Sequence, residues 1–364
     1  MHLTVDASRE IDHQLNLQIY HIREGVRKAV SQSNRVSFLL VGGFARGEGG
    51  VIRQDDRWVP ANDYDFELVT HHALPPDDLK KLGERMAEEI GIRWVHIENH
   101  TVKQLRRMKF TMYNYDLKYA GKHLDGDATV QAIIPEMDAS KMPWREAEKQ
   151  ILTRTWSFIG AFSRDMMKRP LDDEEEFFLA EQLSKAILAM QDCFLIPQGL
   201  YSSSYRKRLE NLVDADYPEE LADYFKWATA FKLSPHTYEK SNFVDLLFDI
   251  KPLFLKTLLD LYSDGYKRPL KNWKEYEHIH FTNGYTLLKR AYFILVKQSP
   301  WYINYLNYTM GMIYLIDALE RDRVRFQSLD RARYFFSRVK GCTDPGENWD
   351  ELRTEALRLR EQIW

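Results

Sequence analysis

Apolar residues at Ile11, Leu15, Ile19, Ile22 and Val26 lie three or four positions apart, which predicts an amphipathic helix over residues 11–29. The run VSFLLV at residues 36–41 is short, partly β-branched and halted by Gly42 and Gly43, so it predicts a buried strand ending in a turn. Over residues 63–68 the period falls to two. Tyr64, Phe66 and Leu68 alternate with Asp63, Asp65 and Glu67, and a strand there has one apolar face and one acidic face. Helical spacing returns over residues 77–90. Residues 94–97 and 110–119 predict two further strands, the second the longer.

The pattern changes after Pro143. Trp144, Ala147, Ile151, Leu152, Thr155, Phe158, Ile159 and Phe162 keep helical spacing, and helical patterns then recur to the end of the chain, interrupted at Pro197, Gly199, Pro235 and Gly265. The chain therefore predicts an α+β fold in two domains, residues 1–142 with the sheet and residues 143–364 mostly helical. No repeat of fixed period occurs.

Composition narrows the class. A chain of 364 residues with 44% hydrophobic and 29% charged residues suits a globular protein of about two domains. A net charge of −3 gives no global basic excess for nucleic acid. Cys193 and Cys342 stand far apart, which speaks against a disulfide framework or a thiolate zinc site. The first residues lack the apolar core of a secretory signal, and no window reaches the roughly 18 apolar residues of a membrane span. The expectation is a cytoplasmic protein with no membrane partner.

The chemistry gathers around VGGFARGEGG, residues 41–50, and NDYDFELV, residues 62–69. Two acids one residue apart on a strand point the same way, and their repulsion needs a compensating cation. Mg²⁺ suits them, since it takes oxygen ligands from one or two carboxylates together with phosphates and water. Five glycines in residues 41–50 let backbone amides approach a polyphosphate. The stretch fits neither Walker A, for want of the lysine, nor the GxGxxG dinucleotide loop.

Gly42-Gly43-Phe-Ala-Arg46-Gly-Glu48-Gly, followed by Asp63-Tyr-Asp65-Phe, resembles the nucleotidyltransferase superfamily that includes DNA polymerase β and the minimal and antibiotic-modifying nucleotidyltransferases. The family's order is a hydrophobic strand, Gly-Gly or Gly-Ser, a short helix, an acid–hydrophobic–acid strand, and a third acid from a later strand. The resemblance implies a mixed-sheet catalytic domain with a helical C-terminal domain on the substrate side or for interaction. It implies transfer of a nucleoside monophosphate from an NTP, ATP foremost, to an acceptor, with pyrophosphate leaving. Two Mg²⁺ ions, or Mn²⁺, would be held by Asp63, Asp65 and Asp116, the last being the third acid. Gly42, Gly43 and Arg46 would face the phosphates, with Glu48 bracing Arg46. Lys185 would reach the triphosphate, and Tyr201 would stack on a base or acceptor.

Gly43 and Asp63 are twenty positions apart, longer than the family's compact spacing, and residues 55–58 read as an inserted hairpin or lid. Asp65 and Glu67 also satisfy the acid–hydrophobic–acid pattern. Asp63 and Asp65 are favoured because they begin the strand, leaving Glu67 as a supporting or structural acid. A small-molecule acceptor is favoured; a protein hydroxyl, RNA, or a nucleotide-binding protein without turnover are the alternatives. The acids of residues 172–176 suit a helix start, His278 and His280 suit a structural role, and the basic residues 321–338 suit a solvated helix.

Overall fold

The computed structural model describes residues 1–6 and 8–363. The chain forms two compact units, Met1–Glu146 with Leu195–Glu239, and Ala147–Phe194 with Lys240–Trp364. The division expected at residue 142 thus differs from the packing, because residues 195–239 return to the N-terminal unit. Hydrophobic periodicity marks where a helix lies, not which core receives it.

The first unit holds α1 (Arg9–Ala29), β1 (Arg35–Val41), α2 (Gly42–Arg46), β2 (Val51–Gln54), β3 (Arg57–Pro60), β4 (Asp63–Thr70), α3 (Pro76–Ile90), β5 (Trp94–Thr101), α4 (Val102–Leu105), α5 (Met112–Ala120) and β6 (Lys122–Gly126). Four strands make a mixed sheet in the order β5-β4-β1-β6, with β1 antiparallel to β4 and β6, and β4 parallel to β5. Phe38, Leu40, Phe66, Leu68, Val95 and Ile97 project from one face into a core completed by Ile11, Leu15, Ile19, Ile22 and Val26 of α1 and Leu79, Leu82 and Met86 of α3. Each such side chain stabilises the fold by roughly 1.5–3 kcal/mol when fully buried. On the other face Leu39, Val41 and Val69 pack with Leu105, Leu117, Val130 and Ile134. The fold is α+β, as the patterning predicts.

Two local readings are settled. Residues 51–60 are a two-stranded hairpin, turned by Asp55 and Asp56 with φ of 47° and 61°. Both positive values are those a tight two-residue hairpin turn requires. The strand expected over residues 110–119 is instead the helix α5, and the strand is β6, just beyond it. The tyrosines of this stretch favour a strand locally. Thr111 decides otherwise: its side chain accepts a hydrogen bond from the Asn114 amide and caps the helix, while Met112 and Leu117 are drawn into the core.

The second unit is helical. Its longest helices are Asp173–Leu195 and Phe243–Gly265, and Trp301–Ala318 is buried on almost every side. The acids at 173–176 fill a first helical turn. Arg321, Arg323, Arg325, Arg331 and Arg333 are each paired with an acid, so the basic stretch is a salt-bridged surface. His280 is buried and bonded to Tyr276. Among the described residues, no helix is long and apolar enough to cross a membrane.

Candidate active site

The alternation in β4 places Asp63, Asp65 and Glu67 on the face opposite the α1 and α3 core. Asp65 lies beside Val41 of β1 on one side and His96 of β5 on the other. Immediately after Val41 the chain turns through Gly42 with φ of +69°, and a Cβ at that position would stand 2.7 Å from Asp65 Oδ2. Glycine is required twice over here, by the backbone conformation and by the proximity of the carboxylate. The glycine turn and the acidic strand expected from the sequence therefore meet at Asp65.

Burial, followed by the charge of Asp63, pushes the Asp65 carboxyl up to about 7; His96, Lys232 and Arg46 pull the other way. Two carboxylates held this close with incomplete compensation form an oxygen donor set that suits a divalent cation. The residues therefore fit Mg²⁺ or Mn²⁺ bound through Asp63 and Asp65. Among the described residues, no three His, Cys, Asp or Glu side chains form a group able to hold a metal ion.

Glu67 has a different environment. It is fully buried and accepts hydrogen bonds from His100 Nδ1 at 2.9 Å and the Tyr113 hydroxyl at 2.8 Å. Burial first, then the charge of Glu67, holds the Tyr113 hydroxyl far above its ordinary value. Glu67 thus ties β4 to β5 and α5, whereas Asp63 and Asp65 are a half-buried pair at the head of the strand.

Asp116 is not on a later strand but on α5, where its carboxylate accepts the Ser203 hydroxyl at 2.6 Å and the Tyr201 hydroxyl at 3.0 Å and meets Arg46 at 3.5 Å. Among the described residues Asp116 does not form the expected three-acid group with Asp63 and Asp65; its carboxylate is engaged by Ser203, Tyr201 and Arg46. Arg46 also meets Glu48 at 3.4 Å. Glu48 in turn accepts Ser204 Oγ and the amides of Tyr205 and Arg206, capping the helix Tyr205–Asn211. Tyr201 is buried under Arg208, whose guanidinium lies 4.7 Å from its ring centre, so the ring supports Asp116 rather than offering an open stacking face. Lys185 belongs to the second unit, where it pairs with Glu181 at 2.8 Å.

Several residues of the site are not visible in the motif. Tyr205 is surrounded by three cations, Arg208 at 4.6 Å, Arg46 at 5.2 Å and Lys232 at 5.9 Å from its ring centre. Lys232 closes the helix Ala222–Leu233 and its charge acts on Asp65 from more than 160 positions away in sequence. His96 and Glu98 share the Asp65 face of β5 and are bonded at 2.9 Å. That bond, ahead of the charge of Asp65, raises the His96 ring above its ordinary value. The alternation of His96, Glu98 and His100 against Val95 and Ile97 was the available signal for β5; nothing local marks Lys232.

No protein-family model matches the chain, and no curated protein matches it. Among solved structures it is similar to spectinomycin adenyltransferase AAD(9) from Enterococcus faecialis, determined with ATP and spectinomycin. The identity is 16%, the match covers 67% of this chain and 98% of that one, and the TM-score is 0.40.

Proposed function

We propose that the protein transfers a nucleoside monophosphate from an NTP, ATP by the motif's resemblance, to a hydroxyl or phosphate on a small molecule. The observation that carries this reading is the Asp63–Asp65 pair, with Asp65 pushed up to about 7 and seated against Gly42. When bound there, Mg²⁺ supplies positive charge to the transferring phosphoryl group and to the leaving pyrophosphate.

The chain's own groups do the rest. Asp63 and Asp65 hold the cation. Arg46 and Lys232, whose charges reach Asp65, neutralise phosphate oxygens, and Gly42 and Gly43 let the backbone come close to them. Asp116, with Tyr201 and Ser203, fixes one side of Arg46, while Glu48 fixes the other, so both acids act as positioning residues. Rate enhancement then comes from alignment and prearranged charge. The chain's net charge of −3 favours a small acceptor over a polyanion.

The test is to incubate the full chain with Mg²⁺, each α-labelled NTP and a cell extract separated into small-molecule, protein and RNA fractions. Label should enter the small-molecule fraction and disappear with Asp63→Asn or Asp65→Asn. Label in protein or RNA would reassign the acceptor. Undiminished labelling by both folded variants would remove the metal-site assignment.

A further inference from the structure

Gly50, the last residue of the stretch 41–50, meets a different neighbour from Gly42. A Cβ there would stand 2.8 Å from the Lys232 carbonyl oxygen and 3.1 Å from Cγ and Cδ of Pro235. A backbone oxygen cannot swing aside as the tip of a side chain can, so the bare backbone of Gly50 sets how closely the loop approaches the end of the helix Ala222–Leu233. That approach matters for Lys232. Among the described residues its ammonium has no ion-pair partner, and it stands 5.9 Å from the Tyr205 ring centre. The place of its backbone therefore decides where the charge can reach.

Gly50 leads into the hairpin β2–β3, the insertion that lengthens the spacing between Gly43 and Asp63. The Ala61 amide donates to the Gly50 carbonyl at 3.0 Å and closes the hairpin's base. Trp58 of β3 meets the His236 ring edge-on at 5.3 Å, within the turn Pro235–Thr237 that follows Lys232. Trp58 is also anchored towards the acidic strand. Its amide donates to Gln14 Oε1 at 2.8 Å, its carbonyl accepts from Gln18 Nε2 at 3.0 Å, and the Tyr64 hydroxyl donates to Gln18 Oε1 at 2.8 Å. Tyr64 is the residue before Asp65. Two routes thus join the acids to Lys232: Gly42 against Asp65 through the loop to Gly50, and Tyr64 through Gln18 and Trp58 to His236.

We propose that Gly50 and Trp58 are positioning residues, through which the inserted hairpin holds Lys232 at a fixed reach from Asp63 and Asp65, so that its ammonium meets the phosphates of the bound nucleotide. The proposal rests on the nucleotidyl-transfer reading. The hairpin is then a brace between the two charged sides of one site.

Calorimetric binding of α,β-methylene-ATP with Mg²⁺ tests it, because the bridging carbon blocks release of pyrophosphate. Gly50→Ala should weaken binding by about fivefold or more, since a displacement on the order of 1 Å is costly at an aligned contact. Trp58→Leu, which leaves the loop untouched, should weaken it in the same direction. In a Lys232→Met background neither substitution should weaken binding further, because effects that pass through one group do not add. Without nucleotide, Mg²⁺ should stabilise both single variants as it does the natural protein. Undiminished binding by either single variant, equal losses with and without Lys232, or loss of the Mg²⁺ response overturns the positioning role and leaves nucleotidyl transfer standing. A natural protein that does not bind the analogue overturns both.

Discussion

Replacing Asp65 by asparagine should make the metal-free protein more stable while abolishing its turnover. The reason lies in the displacement of the Asp65 carboxyl from 3.8 to about 7 by burial and by Asp63. Between about pH 4 and pH 7 the unfolded chain has released this proton and the folded chain still holds it, so stability falls as pH rises through that window, with the full penalty above it. Three units correspond to roughly 4 kcal/mol at most. Water reaching the half-buried carboxylate reduces this to about 2–4 kcal/mol. Urea unfolding in EDTA should therefore show the natural protein losing that amount between pH 5 and pH 8, and Asp65→Asn losing much less. Adding Mg²⁺ at pH 8 should restore stability to the natural protein, by about 2.7 kcal/mol at a hundred times the dissociation constant, and leave Asp65→Asn unmoved. If Asp65→Asn is the less stable protein at pH 8 in EDTA, or its pH profile matches the natural one, the two carboxylates are not the strained pair described above.

Three further outcomes follow from individual contacts. Gly42→Ala forces a side chain into φ of +69° and against Asp65 Oδ2; it should cost about 1–2 kcal/mol in urea unfolding and lower kcat/KM by more than about a hundredfold. Tyr113→Phe removes the hydrogen bond to Glu67 and should cost about 1–2 kcal/mol, yet leave Mg²⁺-dependent stabilisation intact; loss of that response would move Glu67 into the metal pair. Lys232→Met should raise the KM for NTP by about tenfold or more and shift the Asp65 titration upward, because one of the charges opposing its protonation is gone. An unchanged KM would exclude Lys232 from the phosphate site.

The sequence by itself determined the elements that carry their own signal. The three-and-four spacing of α1, the apolar run of β1 ended by Gly42 and the strict alternation of β4 are local patterns, and each appears where its periodicity put it. The meeting of Gly42 with Asp65 was legible too, because a glycine turn and an acidic strand in that order match a known arrangement. The tertiary structure alone decided what depends on distant chain. α5 is helical because Thr111 caps it and the core takes Met112 and Leu117, against the strand preference of its tyrosines. Glu67 and Asp65 share one face and differ in surroundings because Tyr113 and His100 hydrogen-bond to the former. Asp116 is engaged at Oδ1 by Ser203 and Tyr201, more than 80 positions later, and at Oδ2 by Arg46, partners that no local pattern announces. Lys232 enters the site because residues 195–239 fold back into the N-terminal unit. Periodicity is a property of neighbouring residues, whereas the charge environment of a carboxylate is set by whatever the fold brings within a few ångströms of it.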